Sequence, residues 1–161
     1  MALAVALGRR PTVLVLDEPL ADLDPVARAE VMQTLMGEVA ETGMTVLLSS
    51  HVLSDLENVC DHLLLLSEGE LRLAGDVERL VSEHALLIGP ADGDEHAVPE
   101  HAVVEKRSTP RQVTFPLRDT PHRSVPGPGW EVHDPTVEEL VMAYLRAPKP
   151  PVAARAEEVA A

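Results

Sequence analysis

Apolar positions along the chain fall into distinct textures, and each texture predicts an element. Residues 2 to 8, ALAVALG, are apolar all round, which predicts the end of a buried helix closing near Gly8. Thr12 to Leu16 is a short run of β-branched residues and leucine without alternation, and Thr45 to Leu48 is a second. Such runs predict strands covered on both faces, as in a parallel sheet. Between them Val31, Leu35 and Val39 recur at helical spacing. Asp24 is placed to cap that helix, Pro25 to occupy its first position and Gly43 to stop it. Strand, helix and strand at this spacing form a βαβ unit with a right-handed crossover.

The pattern continues with a helix over 52–60 and a strand over LLLL, 63–66. Glu68-Gly69 is a turn, ELRLAG (70–75) alternates like an exposed strand, and DVERLVSE (76–83) is a short helix. Near residue 84 the texture changes. GPADGDEHAVPEH reads as loop, rich in Gly, Pro and acid. AVVEKRS and RQVTFPLR alternate and predict a hairpin across Thr109-Pro110, followed by the loop HRSVPGPG. WEVHDPTVEELVMAYLRA reads as a strand and then a helix opened by Asp134 and Pro135, with Leu140, Ala143 and Tyr144 on one face. APKPPVAARAEEVAA is expected to be a disordered tail. The expected organisation is 1–83 as an α/β unit, 84–147 as a small α+β appendage, and 148–161 as tail.

Composition narrows the function classes. With 161 residues, 45% of them hydrophobic, the chain can bury a core, and with only Phe115, Trp130 and Tyr144 as aromatics that core is Leu, Val and Ala. A net charge of −14 argues against nucleic acid as a partner and supplies no polybasic patch for an anionic membrane. No segment reaches the roughly 18 apolar residues of a membrane helix, so no direct membrane insertion is expected. Arg9 and Arg10 follow the opening apolar run rather than precede it, unlike a signal peptide. Cys60 is the lone cysteine, which fits a reducing, cytoplasmic setting and a small buried hydrophobe.

The candidate chemistry lies where the two apolar strands end. Ligands of parallel sheets bind at the carboxyl ends of strands. The first strand runs into Asp17 and Glu18, and the second into Ser49, Ser50 and His51, so both polar clusters fall on one rim. Asp17 suits Mg²⁺, a hard cation held by one or two carboxylates, phosphates and water. Glu18 suits orienting and deprotonating a water that attacks a γ-phosphate, and His51 suits holding that phosphate and water. The histidines His84, His96 and His101, with Asp92, Asp94 and Glu95, have no fixed ligand spacing and read as a solvated loop. Trp130 and Tyr144 read as core of the small C-terminal unit.

VLVLDEP, then LADLDP, then a strand closing on SSH 34 residues after Asp17, together resemble the ATPase subunit of an ABC transporter. CDHLLLLSEGELRLAGDVERL resembles the end of that family's ATPase domain, and PTVEELVMAYL the last helix of its bacterial drug-exporter members. The resemblance covers residues 1–83 and, more loosely, 130–146. It implies an α/β fold, the C-terminal half of a P-loop NTPase sheet, with ATP and Mg²⁺ as cofactors. It makes Asp17 and Glu18 a Walker B pair and His51 the switch histidine. LADLDP becomes the D-loop, with Asp24 facing a second ATPase subunit. A membrane-spanning permease is the implied partner, with the ATPase peripheral to the inner face of the plasma membrane and export the implied direction.

Two departures qualify the resemblance. Ala21 stands where the D-loop often has Ser, removing one hydrogen bond. No G-x-x-x-x-G-K-[ST], Gly-rich signature or glutamine loop occurs in the 161 residues, and the resemblance implies that these lie upstream of a chain beginning midway through the signature helix. The chain alone is therefore expected not to hydrolyse ATP. An alternative is a truncated, non-catalytic chain that docks onto and modulates a full-length ATPase subunit. A helicase-type NTPase also ends a strand in Asp-Glu, but LADLDP, the single His51 and the acidic charge argue against it.

Overall fold

A computed structural model describes residues 2–53, 56, 59–91, 93, 98, 100–118 and 127–148. The chain is mixed α/β and divides into two units between Cys60 and Asp61. The change of texture at residue 84 falls inside the second unit.

The first unit contains α1 (Ala2–Gly8), β1 (Val13–Leu16), α2 (Pro25–Thr42) and β2 (Thr45–Leu48). The two strands pair in parallel from Val13↔Thr45 to Leu16↔Leu48, with α2 as the crossover. The helix starts where the capping argument placed it: Asp24 Oδ1 accepts the N–H groups of Val26 at 2.9 Å and Ala27 at 3.0 Å. It stops at Gly43, whose φ of 68° is left-handed and whose N–H donates to the Val39 carbonyl at 2.8 Å. The core is Leu14, Leu20, Met32, Leu35 and Met44, joined by half-buried Leu3, Leu7, Val46 and Leu48. Truncating a buried leucine such as Leu35 costs about 2–5 kcal/mol in cores of this kind.

Two expectations about this unit need correction. The strands are covered on one face only: Val13, Val15 and Leu47 are 58%, 66% and 52% exposed, because α1 and α2 pack against the opposite residues. The first helix is likewise one-sided, with Leu3, Ala6 and Leu7 on the core and Val5 in solvent. Of the helix expected over 52–60, residues 54, 55, 57 and 58 lie outside the described residues, and Leu56 donates to the Leu53 carbonyl in a tight turn.

The second unit opens with an antiparallel hairpin of β3 (His62–Ser67) and β4 (Glu70–Asp76). Its two-residue turn needs positive φ at both positions, and Glu68 and Gly69 supply 52° and 75°. The register shifts between Leu65↔Leu73 and Leu66↔Leu71, leaving Arg72 as the extra residue of a bulge. Arg72 Nη2 donates at 2.9 Å to the carbonyls of both Tyr144 and Ala147, at the end of α4 (Val137–Arg146). A cation on the terminal carbonyls of a helix stabilises its end. That helix is opened by Thr136 rather than by Asp134 and Pro135. Thr136 and Glu139 satisfy each other's backbone N–H in a capping box, which the earlier positions cannot form.

Between these elements lie α3 (Val77–Glu83) and the sheet β6-β7-β5-β8, made of Arg107–Ser108, Gln112–Arg118, His84–Pro90 and Glu131–His133. The hairpin across Thr109-Pro110 forms between β6 and β7. His84 does not lie in a solvated loop. It starts β5 at 5% exposure, directly after α3, because the apolar run Ala85–Ile88 carries the chain straight into the sheet. Its Nδ1–H donates to the Leu80 carbonyl at 2.6 Å, so in the neutral ring Nε2 accepts the Tyr144 hydroxyl, 2.8 Å away. His101 lies in a short 3₁₀ turn, while Asp92, Asp94, Glu95 and His96 fall outside the described residues, as do residues 149–161 of the expected tail. Among the described residues no helix is long and apolar enough to cross a membrane.

The core of this sheet is Leu87, Val98, Val113, Phe115, Leu117 and Trp130, with the Phe115 and Trp130 rings stacked 6.1 Å apart. Trp130 lies flat on the backbone of β5. A Cβ at Gly89 would stand 2.3 Å from its Cε3, so only glycine fits there. Gly89→Ala is expected to cost about 1–3 kcal/mol or more through overpacking. It should appear as a lower urea midpoint with unchanged slope, and an unchanged midpoint would refute this packing.

Candidate functional site

The rim at the carboxyl ends of β1 and β2 is built by continuing their ladder one residue further. Ser49 N–H donates to the Leu16 carbonyl at 2.9 Å, so the residue after β2 stands beside the residue after β1. Ser49 Oγ donates to Asp17 Oδ1 at 2.6 Å and accepts the Glu18 N–H at 2.8 Å. Glu18 has a φ of 45°, a left-handed turn that ends the strand direction. Its Oε2 meets His51 Nδ1 at 2.8 Å, across 33 residues of sequence. A carboxylate only accepts, so Nδ1 carries the proton of this bond, and a second N–H at Nε2 exists only in the imidazolium. Both partners are open to water, His51 at 68% and Glu18 at 39%, so the pair contributes at most about 1 kcal/mol to stability.

Three of the four sequence-nominated residues, Asp17, Glu18 and His51, are therefore one hydrogen-bonded group with Ser49 at its centre. In the sequence alone Ser49 is one of three polar residues, with Ser50 and His51, that end β2. The signal that identifies it is register: with Leu16 opposite Leu48, Asp17 must face Ser49 and not Ser50. Ser50 turns elsewhere, its hydroxyl accepting the Val52 N–H at 3.0 Å. Asp24, the fourth, caps α2: its Oδ1 accepts the Val26 and Ala27 N–H groups, and no bond to Asp17, Glu18, Ser49 or His51 is seen among the described residues.

The loop between Glu18 and Asp24 is held from within. Ala21 N–H donates to Glu18 O and Leu23 N–H to Leu20 O, while Leu20 is buried in the core. Arg28, one turn into α2, reaches back so that its Nε donates to the Leu23 carbonyl at 2.9 Å. Sequence reasoning did not find this clasp, because an arginine at that spacing reads as helix surface. Among the described residues no group of three His, Cys, Asp or Glu side chains is placed to enclose a metal by itself.

No family model matches the chain. It is 38% identical over 87 residues to the energy-coupling factor transporter ATP-binding protein EcfA2 of Streptococcus pyogenes serotype M5 strain Manfredo. The serotype M3 strain SSI-1 and serotype M12 strain MGAS2096 proteins of that name match equally. The aligned stretch is 54% of this chain and 31% of the relative, so the chain spans less than a third of the length of these curated relatives.

Because Asp24 acts here through its cap, Asp24→Ala is expected to cost about 1 kcal/mol and Asp24→Asn very little. Thermal or urea unfolding of the two variants checks this, and equal losses would contradict the capping role.

Proposed function

We propose that this partial homologue of the ABC ATPases forms the C-terminal half of the ATP-binding and hydrolysing domain of a transporter, with an α+β appendage and tail after residue 83. The observation that carries the proposal is the convergence of Glu18 and His51 at 2.8 Å on the same strand-end rim as Asp17. The relatives' ATP-binding role and the order DEP, LADLDP, SSH support it.

In this reading Asp17 helps to hold Mg²⁺ with the phosphates of ATP. The fit is reasonable: Asp17 is exposed, Ser49 engages one of its oxygens, and a single carboxylate with phosphates and water is ordinary Mg²⁺ ligation. The cation supplies charge neutralisation for the polyphosphate. Glu18 takes the proton of the attacking water, work typically worth about 10²–10⁴-fold in rate. His51 orients Glu18 through Nδ1 and steadies the water and γ-phosphate. Asp24 and the clasped loop before it face a second ATPase subunit. The domain lies at the cytoplasmic face of a membrane-spanning permease, and the helix PTVEELVMAYL favours a drug-exporter-type system.

A phosphate cradle of backbone N–H groups and a lysine must come from residues other than these 161, which contain no G-x-x-x-x-G-K-[ST]. That observation also favours a second reading, in which the chain docks on a complete ATPase subunit and modulates it without catalysis. In that case Asp24 and α4 matter and Glu18 does not.

The purified chain is expected to show no ATP hydrolysis above that of its Glu18→Gln variant. A chimera is the positive test: the homologous stretch of S. pyogenes EcfA2 is exchanged for that of this chain, including Asp17, Glu18 and His51. It should hydrolyse ATP and lose about 10²-fold or more of its rate in Glu18→Gln. Hydrolysis by the isolated chain, or a chimera indifferent to Glu18→Gln, would overturn the assignment.

A further inference from the structure

We infer that Ser49 is a positioning residue of this rim, a side chain that sets Asp17 and Glu18 relative to each other. The inference rests on the reading of Asp17 as a metal-binding carboxylate and adds a residue to it. A serine hydroxyl offers one donor and two acceptor positions. Here the donor goes to Asp17 Oδ1 at 2.6 Å and one acceptor position to the Glu18 N–H at 2.8 Å. The first is a charge-assisted O–H···O⁻ bond of short, strong geometry. The second holds the amide of a residue whose φ of 45° lies in the left-handed region that L residues with a side chain adopt only uncommonly. With the Ser49 N–H on Leu16 O, three bonds from the residue that follows the second strand hold the end of the first.

The neighbouring serine cannot substitute. Ser50 directs its hydroxyl to its own loop, at Val52, and the parallel register places it out of line with Asp17. Without the Ser49 hydroxyl, Asp17 is free to rotate about both side-chain torsions, and the Glu18 amide loses its acceptor. Hydrogen-bond partners that orient metal-binding side chains typically change metal affinity by about 10–100-fold. Asp17 is exposed, so an effect of about 10-fold, at the low end, is expected.

The test uses the whole chain and Mn²⁺, whose paramagnetism broadens nearby amide NMR signals. In the wild type, the Asp17 and Glu18 signals should broaden as Mn²⁺ is added, and Asp17→Asn should abolish that local effect. Ser49→Ala should raise the Mn²⁺ concentration for half-broadening by about 10-fold. Ser49→Cys, of similar shape but a weak donor, should do the same. Ser49→Thr, which keeps the hydroxyl, should return to within about twofold of wild type, and Ser50→Ala should leave the midpoint unchanged. Without metal, the Glu18 amide proton should move upfield in Ser49→Ala and Ser49→Cys but not in Ser49→Thr. A wild-type midpoint in both hydroxyl-deleted variants, with Asp17→Asn still silent, would overturn the inference alone. Broadening that persists in Asp17→Asn would overturn the metal reading of Asp17 and the inference with it.

Discussion

The parallel register of β1 on β2 is the constraint on which the rim depends. A shift of one residue in a strand turns every side chain to the other face. Leu14 and Leu16 would leave the core, Val13 and Val15 would enter it, and Asp17 would no longer stand beside Ser49. The hydrophobic pattern therefore enforces the polar geometry. Burial of Leu14 and Leu35 holds β1 and α2 together, α2 returns the chain to the start of a parallel strand, and β2 arrives with Ser49 and His51 at the height of Asp17 and Glu18. The rim's own hydrogen bonds are exposed to water, so they orient side chains on a strand alignment that the buried core provides.

The second unit solves a different problem, the burial of a histidine. His84 is sealed at the junction of α3 and β5, and both ring nitrogens are occupied, by Leu80 O and by the Tyr144 hydroxyl. Each such bond contributes about 1 kcal/mol net, but an unmet partner would cost more. The bulge at Arg72 has a comparable consequence. It carries one extra residue out of the hairpin ladder and gives the last carbonyls of α4 a cation. Tyr144 is thus engaged from both ends, by its hydroxyl and by its carbonyl.

Electrostatics shape what the rim can do. Two adjacent carboxylates on a chain of net charge −14 repel a polyphosphate unless cations intervene. An arrangement of this kind attracts cations and disfavours anions.

Much of this was legible in the sequence, and for identifiable reasons. Asp24, Pro25 and Gly43 are local signals whose meaning depends on backbone geometry within a few residues, and the helix they bound lies where they place it. The strand pair, the hairpin turns and the meeting of Asp17, Glu18 and His51 on one rim follow from periodicity and the handedness of βαβ connections. Tertiary structure alone decided the rest, because those features depend on what lies across from a residue and not beside it in the chain. One face of the β1–β2 pair is open, though its residues are as apolar as those of the covered face. His84 is buried because α3 ends against β5 with Tyr144 opposite. Arg72 and Arg28 work as clasps because a bulge and a helix turn aim them at carbonyls remote in the chain or in the preceding loop. Ser49, indistinguishable in composition from Ser50, faces Asp17 because pairing register selects one of two identical neighbours.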